Sequence, residues 1–101
     1  MKKAILIDVK DNVATVTSDV EKSEEVEILS PQGDIPSRVR VAEKILFGHK
    51  LALKPFAKGA DVIKYGEIIG AASASIAPGD WVHTHNVESG RLSTRNMETK
   101  Q

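Results

Sequence analysis

Cysteine is absent from the 101 residues, which excludes disulfide staples and thiolate metal sites and leaves imidazole, carboxylate and carbonyl oxygen as the available metal donors. Aromatic residues make up 4% of the chain and the formal net charge is zero. Without stacking residues or a basic excess, nucleic acid is not an expected partner. Long apolar runs are missing too. Met1-Lys2-Lys3 starts like a secretory leader, but the apolar stretch Ala4-Ile5-Leu6-Ile7 stops at Asp8, well short of an h-region. The expected setting is the cytoplasm, with no membrane partner. No window sustains an apolar stripe at helical spacing over three turns, so little helix is expected.

What is present is ordinary for a folded globular chain: 41% hydrophobic and 28% charged residues. The length predicts one domain with a modest core and little spare surface for a deep pocket. The charges are segregated. Residues 1–34 carry four Lys against eight acids, residues 35–64 carry seven Lys or Arg against two acids, and the rest carries three against four. The basic middle block suits a small anionic ligand or an acidic partner surface, although a solvated charged face is the commoner use of such a block.

Short Val- and Ile-rich segments punctuated by glycine predict strands over 4–9, 13–17, 26–29, 38–41, 49–53, 61–64, 67–71 and 81–86. One helical turn is expected near Ala42-Glu43-Lys44, and the fold class is all-β. A turn-plus-strand unit recurs. Phe56-Ala57-Lys58-Gly59-Ala60-Asp61-Val62 aligns with Ile76-Ala77-Pro78-Gly79-Asp80-Trp81-Val82, and Val20 to Val26 is a weaker copy with Ser23 in the glycine position. Glycine there accepts the positive φ of a tight turn, and the valine after it re-enters the core. Pro31-Gln32-Gly33-Asp34-Ile35-Pro36 marks a loop or hairpin tip. Residues 1–88 are expected to form the domain and 89–101 a polar tail, mobile or ordered only by a partner.

The most informative motif is His83-Thr84-His85-Asn86. On a strand, positions 83 and 85 share one face about 7 Å apart. Two imidazoles so placed can share a metal, or one can carry a proton while the other holds a substrate oxygen. An exposed strand also accommodates histidine with no purpose, and spacing does not decide between the two. The third histidine lies in Gly48-His49-Lys50. Trp81 falls on the face of the histidine pair and reads as a core or interface anchor.

Four motifs in order, Asp11-Asn12-Val13-Ala14, Gly48-His49-Lys50-Leu51-Ala52-Leu53, Val62-Ile63-Lys64-Tyr65-Gly66 with Ile69-Gly70, and Val82-His83-Thr84-His85-Asn86, resemble the small amino-terminal domain of the altronate and galactarate dehydratases. Leu46, where relatives commonly have proline, and Ser23, in place of a turn glycine, depart from the pattern. The resemblance implies an SAF-type domain with a β-clip fold. It also implies a metal-dependent hydro-lyase that removes water from a sugar acid to give a 2-keto-3-deoxy acid. The divalent metal is expected to be Fe2+, with Mn2+ as the alternative, shared with a large catalytic subunit. The same small domain serves as the alpha subunit of a sulfolactate sulfo-lyase, and that reading stays open, as does a non-catalytic SAF carbohydrate-binding module.

Dehydration needs a base for the proton α to a carboxylate, an acid or metal for the departing hydroxyl, and cations for the carboxylate. On the resemblance, His83, His85 and His49 are the candidate catalytic residues and His83 and His85 the candidate metal ligands. Lys50, Lys64, Tyr65 and Asn86 are the candidate substrate-binding residues. A sugar-acid pocket must surround most of its ligand, so a domain this small is expected to need the large subunit and to be inactive alone. Self-association is left open.

Overall fold

The computed structural model describes residues 1–30 and 37–89. The expected loop at 31–36 and the tail beyond Ser89 lie outside the described residues. Nine short strands run in chain order: β1 (Lys2–Ile5), β2 (Val13–Val16), β3 (Glu25–Leu29), β4 (Ser37–Arg40), β5 (Lys50–Ala52), β6 (Asp61–Lys64), β7 (Glu67–Ala72), β8 (Trp81–Val82) and β9 (Val87–Ser89). The described residues contain no helix, which bears out the all-β expectation, and the turn expected at Ala42–Lys44 is a bend. They therefore include no helix long and apolar enough to cross a membrane.

Two curled sheets are formed. One has the order β4-β3-β1-β2-β5-β8, and the other β6-β7-β9. β1 and β3 pair in parallel, and every other pairing is antiparallel.

The scaffold is a fourfold use of one local device. Val20-x-x-Ser23-x-x-Val26, Ile45-x-x-Gly48-x-x-Leu51, Phe56-x-x-Gly59-x-x-Val62 and Ile76-x-x-Gly79-x-x-Val82 each close a turn whose third residue has positive φ: 74°, 85°, 92° and 89° in order. In each copy the carbonyl just after the first apolar residue accepts the N–H three residues on: Glu21 from Glu24, Leu46 from His49, Ala57 from Ala60, Ala77 from Asp80. Positive φ at the third position of such a turn is the type II geometry. The second copy, at 45–51, is not among those read from the sequence, where only its last three residues fall in an expected strand, 49–53.

The copies pair. Isolated bridges join Val20 to Ile45 and Phe56 to Ile76, and the first and last apolar residues of all four copies are buried. Val20, Val26, Ile45 and Leu51 centre one core cluster with Val16, Ile28 and Val41. Phe56, Val62, Ile76 and Val82 centre the second with Val13, Ala52 and Ala72. Burying each such side chain contributes roughly 1.5–3 kcal/mol, so the repeat supplies both halves of the core.

Charge segregation in the sequence becomes pairing in space. Lys2 meets Glu24, Lys3 meets Glu27, Arg38 and Arg40 on β4 reach Glu25 on β3, and Lys44 meets Glu21. The acidic first third thus takes up three cations of the basic block.

Two buried polar residues lock the small sheet to the large one. Asp11, 5% exposed, accepts the backbone N–H groups of Asp8, Tyr65 and Gly66. Tyr65 and Gly66 form the two-residue loop of the β6–β7 hairpin with φ of 58° and 74°, a type I′ turn whose N–H groups point at one carboxylate. Asn12 donates its amide to the Asp61 carbonyl and accepts from the Ile63 N–H. The Asp11-Asn12 motif is therefore a clamp between sheets.

Candidate functional site

β5 follows the second copy of the turn unit and β8 follows the fourth, and the two strands pair antiparallel with Leu51 opposite Trp81 and Lys50 opposite Val82. That pairing brings His49 to Trp81. In the first and fourth copies, the residue at the position of His49 is an acid that closes its own turn. Glu24 accepts from the Glu21 N–H, and Asp80 from the Ala77 N–H. With histidine in that place, the side chain is released from the turn and faces the indole instead.

All three histidines surround the single tryptophan. The His83 ring stacks on Trp81 at 5.3 Å between centroids and 11° between planes. His85 tilts against the same indole at 4.8 Å, and His49 meets it edge-on at 5.5 Å. His49 and His83 are 5.1 Å apart. The indole Nε1–H donates to His49 Nδ1 at 3.1 Å. Trp81 and His49 are half-buried, whereas His83 and His85 are exposed.

The histidine pair is not on a strand, contrary to expectation. β8 ends at Val82, and His83–Asn86 is a turn. The reason is Asn86: its Oδ1 accepts the His83 N–H at 2.9 Å and its Nδ2 donates to the Trp81 carbonyl at 2.8 Å. The carboxamide replaces a partner strand and curls the chain, and the two imidazoles, one residue apart on that curl, both meet the Trp81 ring. Asn86, expected to bind substrate, is buried and engaged in holding this turn. The chain then resumes as β9, a strand unforeseen in the polar sequence after Val87.

Beside the ring cluster lies a cleft of about 270 Å³ where the two sheets meet. Its polar wall is Lys50, His83 and Thr84, and its apolar wall is Val62, Ile69, Val82 and Val87. Ile69 reaches it through a β-bulge: Val62 pairs with Gly70 and Ile63 with Ile68, so Ile69 has no partner across the ladder. Among the described residues Lys50 makes no ion pair. The cleft falls just below the 300–1,000 Å³ usual for small-molecule sites.

His49, Lys50, His83 and His85 are thus brought together, and Trp81, read from sequence as an anchor, stands at their centre. Lys64 and Tyr65 are not. They sit at the β6–β7 tip, with Lys64 Nζ 4.1 Å from the centroid of the Tyr65 ring, and do not line the cleft. Nor do the described residues gather three or more His, Asp or Glu side chains into a metal shell. Two exposed imidazoles would fill only part of a divalent metal's coordination shell.

Fold and site define a small all-β domain with a histidine cluster around one tryptophan, beside a cleft walled by a lysine. Residues 2–90 match the family model of the altronate/galactarate dehydratase SAF domain. The chain is 43% identical over 82 residues to altronate dehydratase of Escherichia coli K12, covering 81% of this chain and 15% of that protein. It is 33% identical over 88 residues to altronate dehydratase of Bacillus subtilis 168, covering 87% and 16%. It is also 45% identical over 51 residues to the alpha subunit of (2R)-sulfolactate sulfo-lyase from Chromohalobacter salexigens, covering 50% and 54%. This chain belongs to the SAF-domain family of the altronate and galactarate dehydratases. It spans about 15% of the length of the altronate dehydratases it matches.

Proposed function

We propose that this chain is the small component of a cytoplasmic sugar-acid dehydratase, joining a large catalytic chain to eliminate water from an aldonic or aldaric acid and give a 2-keto-3-deoxy acid. The observation that carries the reading is the convergence of His49, His83 and His85 on Trp81 beside a cleft walled by Lys50. Lys50 pairs with the substrate carboxylate, and the exposed imidazoles of His83 and His85 supply proton transfer at the edge of the cleft. Val62, Ile69 and Val82 exclude water from one side.

The size of the cleft supports a partner, because a shallow site of this volume leaves most of a sugar acid uncovered. So does the length of the altronate dehydratases, most of which lies outside the matched part. A divalent metal, ferrous iron or manganese, belongs to this reading as a group whose remaining ligands come from the large chain. A second reading, the alpha subunit of a sulfolactate sulfo-lyase, is favoured by the 45% identity to such a subunit. Both substrates are small hydroxylated carboxylates, and the Lys50 side of the cleft suits either.

The test is co-purification with the large chain, followed by assays of altronate, galactarate and sulfolactate with and without ferrous ion. The expected result is no turnover by this chain alone and 2-keto-3-deoxy acid from the complex. Sulfite release instead selects the second reading, and turnover by the isolated chain removes the partner. His83→Ala and His85→Ala are expected to lower turnover of the complex by about 10²–10⁴-fold. Full activity in both would leave a non-catalytic carbohydrate-binding module.

A further inference from the structure

The indole N–H of Trp81 can only donate a hydrogen bond, so the nitrogen it meets must offer a lone pair. That nitrogen is His49 Nδ1, at 3.1 Å. A neutral imidazole with an unprotonated Nδ1 carries its proton on Nε2. We infer that Trp81 is a positioning residue that fixes His49 as the Nε2–H tautomer, making this histidine a hydrogen-bond donor through Nε2 and removing it from the set of metal ligands and bases. The ring nitrogens of His83 and His85 make no hydrogen bond among the described residues, so those two histidines alone keep a free lone pair. The three imidazoles look alike in the sequence, and one indole divides them into a donor and two acceptors.

The geometry around the bond supports a fixed ring. The Trp81 ring is held by three others: His83 stacks at 11°, His85 tilts at 41°, and His49 meets it edge-on at 62°. Its backbone is held as well, the carbonyl accepting from the Asn86 amide and Leu51 pairing across the ladder. On the other side, His49 is anchored by the turn bond from its N–H to Leu46 and by its carbonyl, which accepts the Val16 N–H. Both partners of the Nε1–H···Nδ1 bond are therefore tied to the two-sheet frame.

What the Nε2–H is used for rests on the proposed lyase reading. The tautomer is a property of this chain and is measured without partner, metal or substrate, so the two ideas fail separately. In the full chain uniformly labelled with 15N, at a pH where the imidazoles are neutral, His49 is expected to show an unprotonated Nδ1 and a protonated Nε2. A scalar coupling is expected across the bond between the indole nitrogen and His49 Nδ1. His49→Ala is expected to speed exchange of the indole N–H at least tenfold, and Trp81→Phe, which keeps an aromatic ring but has no N–H, to shift the His49 nitrogens toward a mixture of tautomers. A protonated Nδ1 in the wild-type chain, absence of the coupling, or His49 nitrogen shifts unchanged in a folded Trp81→Phe chain would overturn the inference. The coupling in the wild type stands as the deciding observation should Trp81→Phe not fold.

Discussion

The carboxylate of Asp11 accepts the backbone N–H of Gly66 at 2.8 Å, across 55 residues of chain. It also accepts those of Tyr65 and Asp8, so one buried side chain closes its own loop and the tip of the β6–β7 hairpin together. Hydrogen bonds to a charged acceptor contribute about 1.5–3 kcal/mol each, and a buried donor left without a partner adds its desolvation cost. Asp11→Ala is accordingly expected to lower stability by about 3 kcal/mol in urea unfolding. Protection of the Tyr65 and Gly66 amides from hydrogen exchange should fall with it.

Ser23 occupies, at φ 74°, the turn position filled by glycine in the other three copies of the repeat unit. A side chain in the left-handed region costs about 1–2 kcal/mol, part of which glycine returns through its larger unfolded-state entropy. Ser23→Gly is expected to stabilise the protein by about 0.5–1 kcal/mol, raising Tm by roughly 3–6 °C for a domain of this size. An unchanged or lower Tm would mean that the turn is not strained.

Glu24 is held below the usual carboxylate range, first by the Glu21 N–H and then by the ammonium of Lys2. A depressed folded-state value means that the unfolded chain binds the proton more readily. The resulting stability is present above the ordinary glutamate value and is lost as pH falls through the lower, folded one. Glu24→Gln should therefore be less stable than the wild type at pH 7, and the gap in Tm should close on acidification below pH 4. A gap independent of pH would assign the effect to side-chain shape.

The strands were legible where short segments rich in β-branched residues sit between turn signals, as in Val13–Val16 and Asp61–Lys64, because such patterning and turn chemistry are local properties. Strand ends were less so. The segment expected to run from Ala4 to Val9 stops at Ile5, where Asp8 and Asp11 form a loop of their own. His83 to Asn86 reads as extended until the Asn86 amide is known to turn back on the Trp81 carbonyl and the His83 N–H.

The site was legible residue by residue and not as an arrangement. His49 lies 32 residues from Trp81, and only the pairing of β5 with β8 makes them neighbours. Position 81 did carry a hint, being two residues before His83 on the same face. Lys64 and Tyr65 illustrate the reverse: their motif belongs to the family pattern, yet the Tyr65-Gly66 turn they lead into is what Asp11 grips.

Asn12 has an effect beyond joining two sheets. Its side chain and backbone together occupy the Asp61 carbonyl and both polar groups of Ile63, so the outer margin of β6 has no free ladder positions there for a strand from another molecule. An uncovered margin of that kind is the usual template for aggregation. One residue thus caps the three-stranded sheet on this side, and the short hairpin offers no open ladder along that stretch of its margin.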